Sequence, residues 1–264
     1  MNTREIIASF LTFGLIFCLI IWYLIRPYTL HTELQHTTLN GVDITYAIRG
    51  YTHGKPVVLL HGNGGSHQDL DIITRILADA GYRVYTPDSR GQGANAPLDE
   101  YHYEDMADDI YLFVNQVIKP YYTRNYTKPA VFGWSDGGII ALLSEVKYPG
   151  TWSAIITSGA NINPDCGIWD LESEREHPTY DSPLYKMMLY EPDITPSELA
   201  TIQCPCLIAA GEYDAIDIEH TRLIANSILN GEVLIIEGAD HGSHITNSTE
   251  MGKAILNYLK KIHY

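Results

Sequence analysis

Ala130-Val131-Phe132-Gly133-Trp134-Ser135-Asp136-Gly137-Gly138-Ile139-Ile140-Ala141-Leu142-Leu143 is the stretch on which the fold turns. Three apolar residues read as a short buried strand, and the run after Ser135 reads as an apolar helix through Val146. Gly133 and Gly137 flank the serine at two residues on either side, in the Gly-x-Ser-x-Gly pattern of a sharp strand-to-helix turn. Such a turn holds the hydroxyl at a strand end, where a substrate can reach it. A serine hydroxyl is a weak nucleophile at neutral pH, so it needs a base within hydrogen-bond reach and a third group to hold that base.

Working outward, apolar runs recur with helical stretches between them. Val42 to Ile48 and the residues before it suggest an antiparallel pair. Pro56 to Leu60, Tyr82 to Thr86, Ala154 to Thr157, Cys206 to Ala210 and Val233 to Ile236 read as further strands. Helices are expected from about Leu70 to Ala80, Tyr101 to Val117 and Glu250 to Ile262. This alternation predicts an α/β fold, a mostly parallel eight-stranded sheet flanked by helices. The polar, Pro- and Tyr-rich stretch from about 161 to 200 breaks the rhythm and is expected to form a small lid over the carboxyl ends of the strands, where open α/β sheets bind ligands.

Two later strand ends supply the serine's partners. Asp214 follows one in Gly211-Glu212-Tyr213-Asp214, and His241 follows the last in Gly238-Ala239-Asp240-His241. Ser135, Asp214 and His241 are therefore the expected nucleophile, orienting acid and general base, with Asp217 and His244 as rivals for the last two roles. A developing oxyanion needs fixed donors. The backbone N–H of Asp136 and that of Asn63, in His61-Gly62-Asn63-Gly64-Gly65, are the candidates, with His61 read as structural. Trp134 and Asp136, beside the serine, are expected to contact substrate.

The 264 residues are 45% hydrophobic and suit one globular domain, from about residue 31 to 264. A formal net charge of -15 with no visible basic patch argues against a nucleic-acid partner. Four cysteines are too few for a disulfide scaffold. Cys204 and Cys206, flanking Pro205, would point to opposite faces of a strand and make a poor metal pair. Neither a metal nor a cofactor is expected.

Ile6 to Ile25 reads IIASFLTFGLIFCLIIWYLI, twenty residues without a charge, enough to cross hydrocarbon as a helix. Trp22 and Tyr23 fit an interfacial belt. A signal peptide would be shorter and end in small residues. Residues 1–30 are thus expected to anchor the protein in a membrane as a single pass. A very short N-terminal tail places the following domain on the extracytoplasmic side.

From about Leu34 to Ile262 the chain resembles the α/β-hydrolase superfamily. The elbow around Ser135, the order Ser, Asp, His and the turn Asp88-Ser89-Arg90-Gly91-Gln92-Gly93 carry the likeness. Gly133 to Ile139, followed by Lys147-Tyr148-Pro149, is similar to the biphenyl hydrolase-like group, members of which cleave α-amino-acid esters. There the Asp after the serine recognises the substrate's amino group. The resemblance implies that role for Asp136, and a serine hydrolase acting on small carboxylic esters. Peptide or C–C cleavage, acyl transfer, and ligand binding without turnover remain alternatives on the same scaffold.

Overall fold

The computed structural model describes residues 28–122, 126–167 and 170–264. The apolar run from Ile6 to Ile25 lies outside them. Among the described residues no helix is long and apolar enough to cross a membrane.

An eight-stranded sheet has the order β1-β2-β4-β3-β5-β6-β7-β8. Strands β1 (Tyr28–Leu39) and β2 (Val42–Tyr51) pair antiparallel, and β2 pairs antiparallel with β4 (Arg83–Pro87). The rest run parallel: β3 (Pro56–Leu60), β4, β5 (Ala130–Trp134), β6 (Ala154–Ser158), β7 (Cys206–Tyr213) and β8 (Gly231–Asp240). The first strand begins at Tyr28, so the sheet reaches slightly into the stretch expected to be anchor.

Successive strand residues face opposite sides of a sheet, and the two sides have separate cores. Val58, Leu60 and Val131 pack with helices α2 (Tyr103–Phe113) and α3 (Asp136–Lys147). Val57, Leu59 and Phe132 pack on the other side with α1 (Asp71–Asp79) and the last helix, Glu250–Lys261. Each such side chain, fully buried, contributes roughly 1.5–3 kcal/mol. Because the central strands are covered on both faces, they are continuous apolar runs and not alternating ones.

The expected helix from Tyr101 begins two residues later. The Tyr101 hydroxyl turns back to donate to the Gly91 carbonyl, and His102 is extended. The inserted segment carries α4 (Leu171–Glu176) and α5 (Pro183–Tyr190), and α6 (Ile218–Ser227) follows β7. The closing helix is α7 in this numbering. Asp170 and Ser182 cap α4 and α5 through their side chains. Helix α6 was not anticipated from the sequence: its buried face includes His220 and Thr221, polar residues that do not mark a core side.

Candidate active site

Ser135 ends β5 and opens α3 with φ 53° and ψ -118°, a left-handed backbone strained for a residue with a Cβ. Its neighbours impose that turn. The Ser135 N–H donates to the Ser158 carbonyl at 2.8 Å, and a Cβ on Gly133 or Gly137 would lie 2.1 Å from the Gly137 carbonyl oxygen or 2.3 Å from that of Leu60. No larger residue fits at either position. The flanking glycines are therefore demanded by close backbone approach.

The parallel register brings the ends of β5, β7 and β8 together. His241 Nε2 lies 3.0 Å from Ser135 Oγ, and His241 Nδ1 lies 2.6 Å from Asp214 Oδ1. Asp214 also accepts the Ile216 N–H on Oδ1 and the Gly211 N–H on Oδ2, both at 3.0 Å. Burial acts to raise the Asp214 carboxyl, but His241 and the two backbone donors outweigh it and hold it below the usual carboxylate value. An ionised, acceptor-only Asp214 thus requires a proton on His241 Nδ1, which leaves Nε2 to face the serine.

The rivals are committed elsewhere. Asp217 caps α6 by accepting the Glu219 N–H at 2.9 Å. His244 is buried with its Nε2 2.7 Å from Ser158 Oγ. His61 is fully buried: the Ser89 N–H donates to its Nε2, so Nδ1 carries the proton and donates to the Gly62 carbonyl at 2.7 Å. A trans peptide points its N–H opposite to its C=O. Fixing the Gly62 carbonyl toward His61 therefore turns the Asn63 N–H away from it.

The backbone N–H groups of Asn63 and Asp136 donate to no acceptor among the described residues. That of Asp136 belongs to the first turn of α3, where helix N–H groups and the dipole favour negative charge. The two side chains meet each other. Asn63 Nδ2 donates to Asp136 Oδ2 at 2.8 Å, and the Tyr103 hydroxyl donates to Oδ1 at 2.7 Å. Burial raises the Asp136 carboxyl despite these donors and the nearby His241.

A cleft of about 780 Å³ opens above Ser135, roofed by the inserted segment through Leu171, Tyr180, Tyr185 and Met188. Trp134, Asn63, Tyr103 and His241 line its floor. Among the described residues four carboxylates, those of Asp136, Glu174, Asp181 and Glu191, border it, and no Lys or Arg does. Tyr103 and Glu191 were not singled out from the sequence. Glu191 accepts the Tyr103 N–H at 3.0 Å, a contact between residues 88 apart in the chain that no local pattern announces. Trp134 lines the cleft, but its indole N–H is used within the protein, donating to the His241 carbonyl.

Among the described residues no group of three or more His, Cys, Asp or Glu side chains is arranged to hold a metal ion.

Comparison with known proteins places these features. The family described as serine aminopeptidase, S33, matches residues 52–177. The serine hydrolase BPHL of Homo sapiens is 26% identical over 84% of this chain and 84% of its own. The proline iminopeptidase PfmaB of Pestalotiopsis fici is 22% identical over 86% of this chain and all of its own. Among solved structures, a thermophilic esterase from Thermogutta terrifontis superposes with a TM-score of 0.71 at 20% identity, covering 88% of this chain and 100% of the esterase.

Proposed function

We propose that this chain, which belongs to the α/β-hydrolase superfamily, is a serine hydrolase that cleaves small carboxylic esters through an acyl-enzyme. The observation that carries the reading is the unbroken line from Ser135 Oγ to His241 Nε2 at 3.0 Å and from His241 Nδ1 to Asp214 Oδ1 at 2.6 Å.

In this mechanism His241 Nε2 takes the proton of Ser135 as Oγ bonds to the ester carbonyl carbon. The oxyanion so formed is met by the backbone N–H groups of Asn63 and Asp136. Asp214 stays ionised and stabilises the imidazolium. Collapse of the tetrahedral species breaks the bond to the alcohol oxygen, which leaves with the proton from His241. Water then gives a proton to His241 and attacks the acyl carbon. The second collapse restores Ser135 and releases the acid.

The cleft is lined by four carboxylates and by no described Lys or Arg, although Lys186 pairs with Asp181 and His102 with Glu191 from outside it, and this acidity favours a substrate bearing an amine, such as an α-amino-acid ester. The same feature supports a second reading, removal of an N-terminal residue from a peptide, in keeping with the name of the matched family. In either case the segment from Ile6 to Ile25 anchors the protein in a membrane as a single pass, with the hydrolase domain outside the cytoplasm.

The test is steady-state turnover by the full chain of a p-nitrophenyl ester, an α-amino-acid p-nitrophenyl ester and the matching p-nitroanilide. Sustained ester hydrolysis that disappears in Ser135→Ala is expected. Turnover of the anilide at a comparable kcat/KM would shift the assignment to the peptidase. Binding of all three without turnover would overturn it.

A further inference from the structure

We infer that the end of the domain opposite the active site is a basic docking surface for an anionic lipid bilayer, which turns the catalytic cleft toward the water. The inference rests on the reading of residues 6–25 as a membrane anchor.

The topology sorts the lysines. Ser135, Asp214 and His241 all follow the carboxyl ends of parallel strands, so the cleft belongs to that end of the sheet. Lys55 and Lys128 precede the amino ends of β3 and β5, at the other end. Lys147 closes α3, which runs from the catalytic end to this one, and Lys260 and Lys261 close α7 in the same sense. Lys119 follows α2 and its wider continuation over Val114–Ile118. Of the chain's lysines only Lys186, on the inserted segment, and Lys253, in the first turn of α7, lie elsewhere.

These groups form a connected surface. The Tyr264 hydroxyl bonds to the carbonyls of both Pro56 and Lys128, and Lys55 Nζ reaches the His263 carbonyl at 3.4 Å. Lys119, Lys128 and Lys147 border one open groove of about 390 Å³ beside the stacked rings of Tyr111 and Tyr148. Lys147 is paired with Glu104 and Asp108, and Lys261 with Glu232. Lys55, Lys119, Lys128 and Lys260 are exposed and form no ion pair among the described residues. Six of the eight lysines of a chain of net charge -15 are thus gathered at the end away from the cleft.

The chain also leaves the domain at this end. Tyr28 pairs with Tyr51, and the adjoining Gly50 pairs with Arg83 at the amino end of β4. Only Arg26 and Pro27 separate Tyr28 from the apolar run, three Cα steps, or roughly 10 Å of reach. That is about one Debye length at ordinary ionic strength. An anchored domain therefore holds its lysines within the field of an anionic surface, while its acidic rim is repelled. A cleft so oriented receives substrate from solution and not from the bilayer.

The experiment is amine acylation of the full chain reconstituted in vesicles of neutral phosphatidylcholine, or of that lipid with one-third phosphatidylserine, read lysine by lysine by mass spectrometry. Lys55, Lys119, Lys128 and Lys260 are expected to react severalfold more slowly on the anionic vesicles and to recover at high salt. Lys186 and Lys253 should be unchanged. Equal rates on both vesicles would overturn the docking surface.

If the full chain fails to float with neutral vesicles, the anchor reading falls separately. Flotation with anionic vesicles then tests the surface alone: binding should weaken about fivefold for each of these four lysines changed to Gln. Indifference to those changes would sink it.

Discussion

The indole N–H of Trp134 donates to the main-chain carbonyl of His241 over 2.8 Å. The residue before Ser135 thereby holds the strand end that carries His241, and its ring also lies 3.4 Å from where a Cβ on Gly62 would sit, in the turn that carries Asn63. Trp134→Phe keeps most of the ring and removes the bond. A neutral hydrogen bond contributes roughly 0.5–1.5 kcal/mol, so kcat should fall about 2- to 12-fold with KM little changed. Steady-state kinetics on a small neutral ester tests this. A change confined to KM would show that Trp134 acts only as pocket wall.

In the proposed mechanism Ser135 and His241 act as one unit, so their losses should not add. Ser135→Ala and His241→Ala are each expected to lower kcat on the order of 10⁴-fold or more, and the double variant about as much as either alone. Asp214→Asn offers the wrong tautomer-directing group to His241 Nδ1 and should cost on the order of 10⁴-fold with the fold intact. Comparing the three by turnover and by thermal unfolding separates chemistry from stability. A double variant far below both singles would deny the shared role.

The buried Asp136 carboxylate depends on Tyr103 and Asn63 for its donors. Tyr103→Phe strips Oδ1 of one, at a cost of roughly 1–3 kcal/mol in urea unfolding. It should also raise the Asp136 carboxyl further, since that donor acts to lower it. Asp136→Asn separates structure from recognition. It should raise KM for an α-amino-acid ester more than for a neutral ester of the same size. An equal rise for both would remove amine recognition from Asp136.

Burial lowers the pKa of His61, of His220 and of His244 below the ordinary 6.5. The unfolded chain therefore takes up protons at these positions first. Their stabilising contribution is complete above pH 6.5 and declines as the pH falls from there toward their folded-state values, by up to about 1.4 kcal/mol per unit for each. Urea unfolding at a series of pH values should show this decline beginning near 6.5. The three imidazole NMR signals should titrate only below that value. A signal titrating above it would contradict the assignment for that ring.

Much of the candidate site was legible in the chain because it is encoded locally. Gly133 to Gly138 specify an elbow through steric demands on adjacent residues, and strands β3 to β7 announce themselves as short runs since both faces are covered. Tyr103, Glu191 and the use of the Trp134 N–H were not legible, and neither was Gly159, whose added Cβ would lie 2.7 Å from His241 Cε1. Each takes its meaning from a partner distant in sequence. His244 stayed a rival to His241 for the same reason.

The sequence by itself determined the α/β fold, the elbow that presents Ser135 and the two strand ends that could serve it, since hydrophobic period and turn chemistry are properties of neighbours along the chain. Only the tertiary structure decided between His241 and His244, joined Asn63 and Tyr103 to Asp136, and gathered six of the eight lysines at the end away from the cleft. Those outcomes depend on the register of parallel strands and on the direction in which each helix returns, and both are set when the two cores close on either side of the sheet.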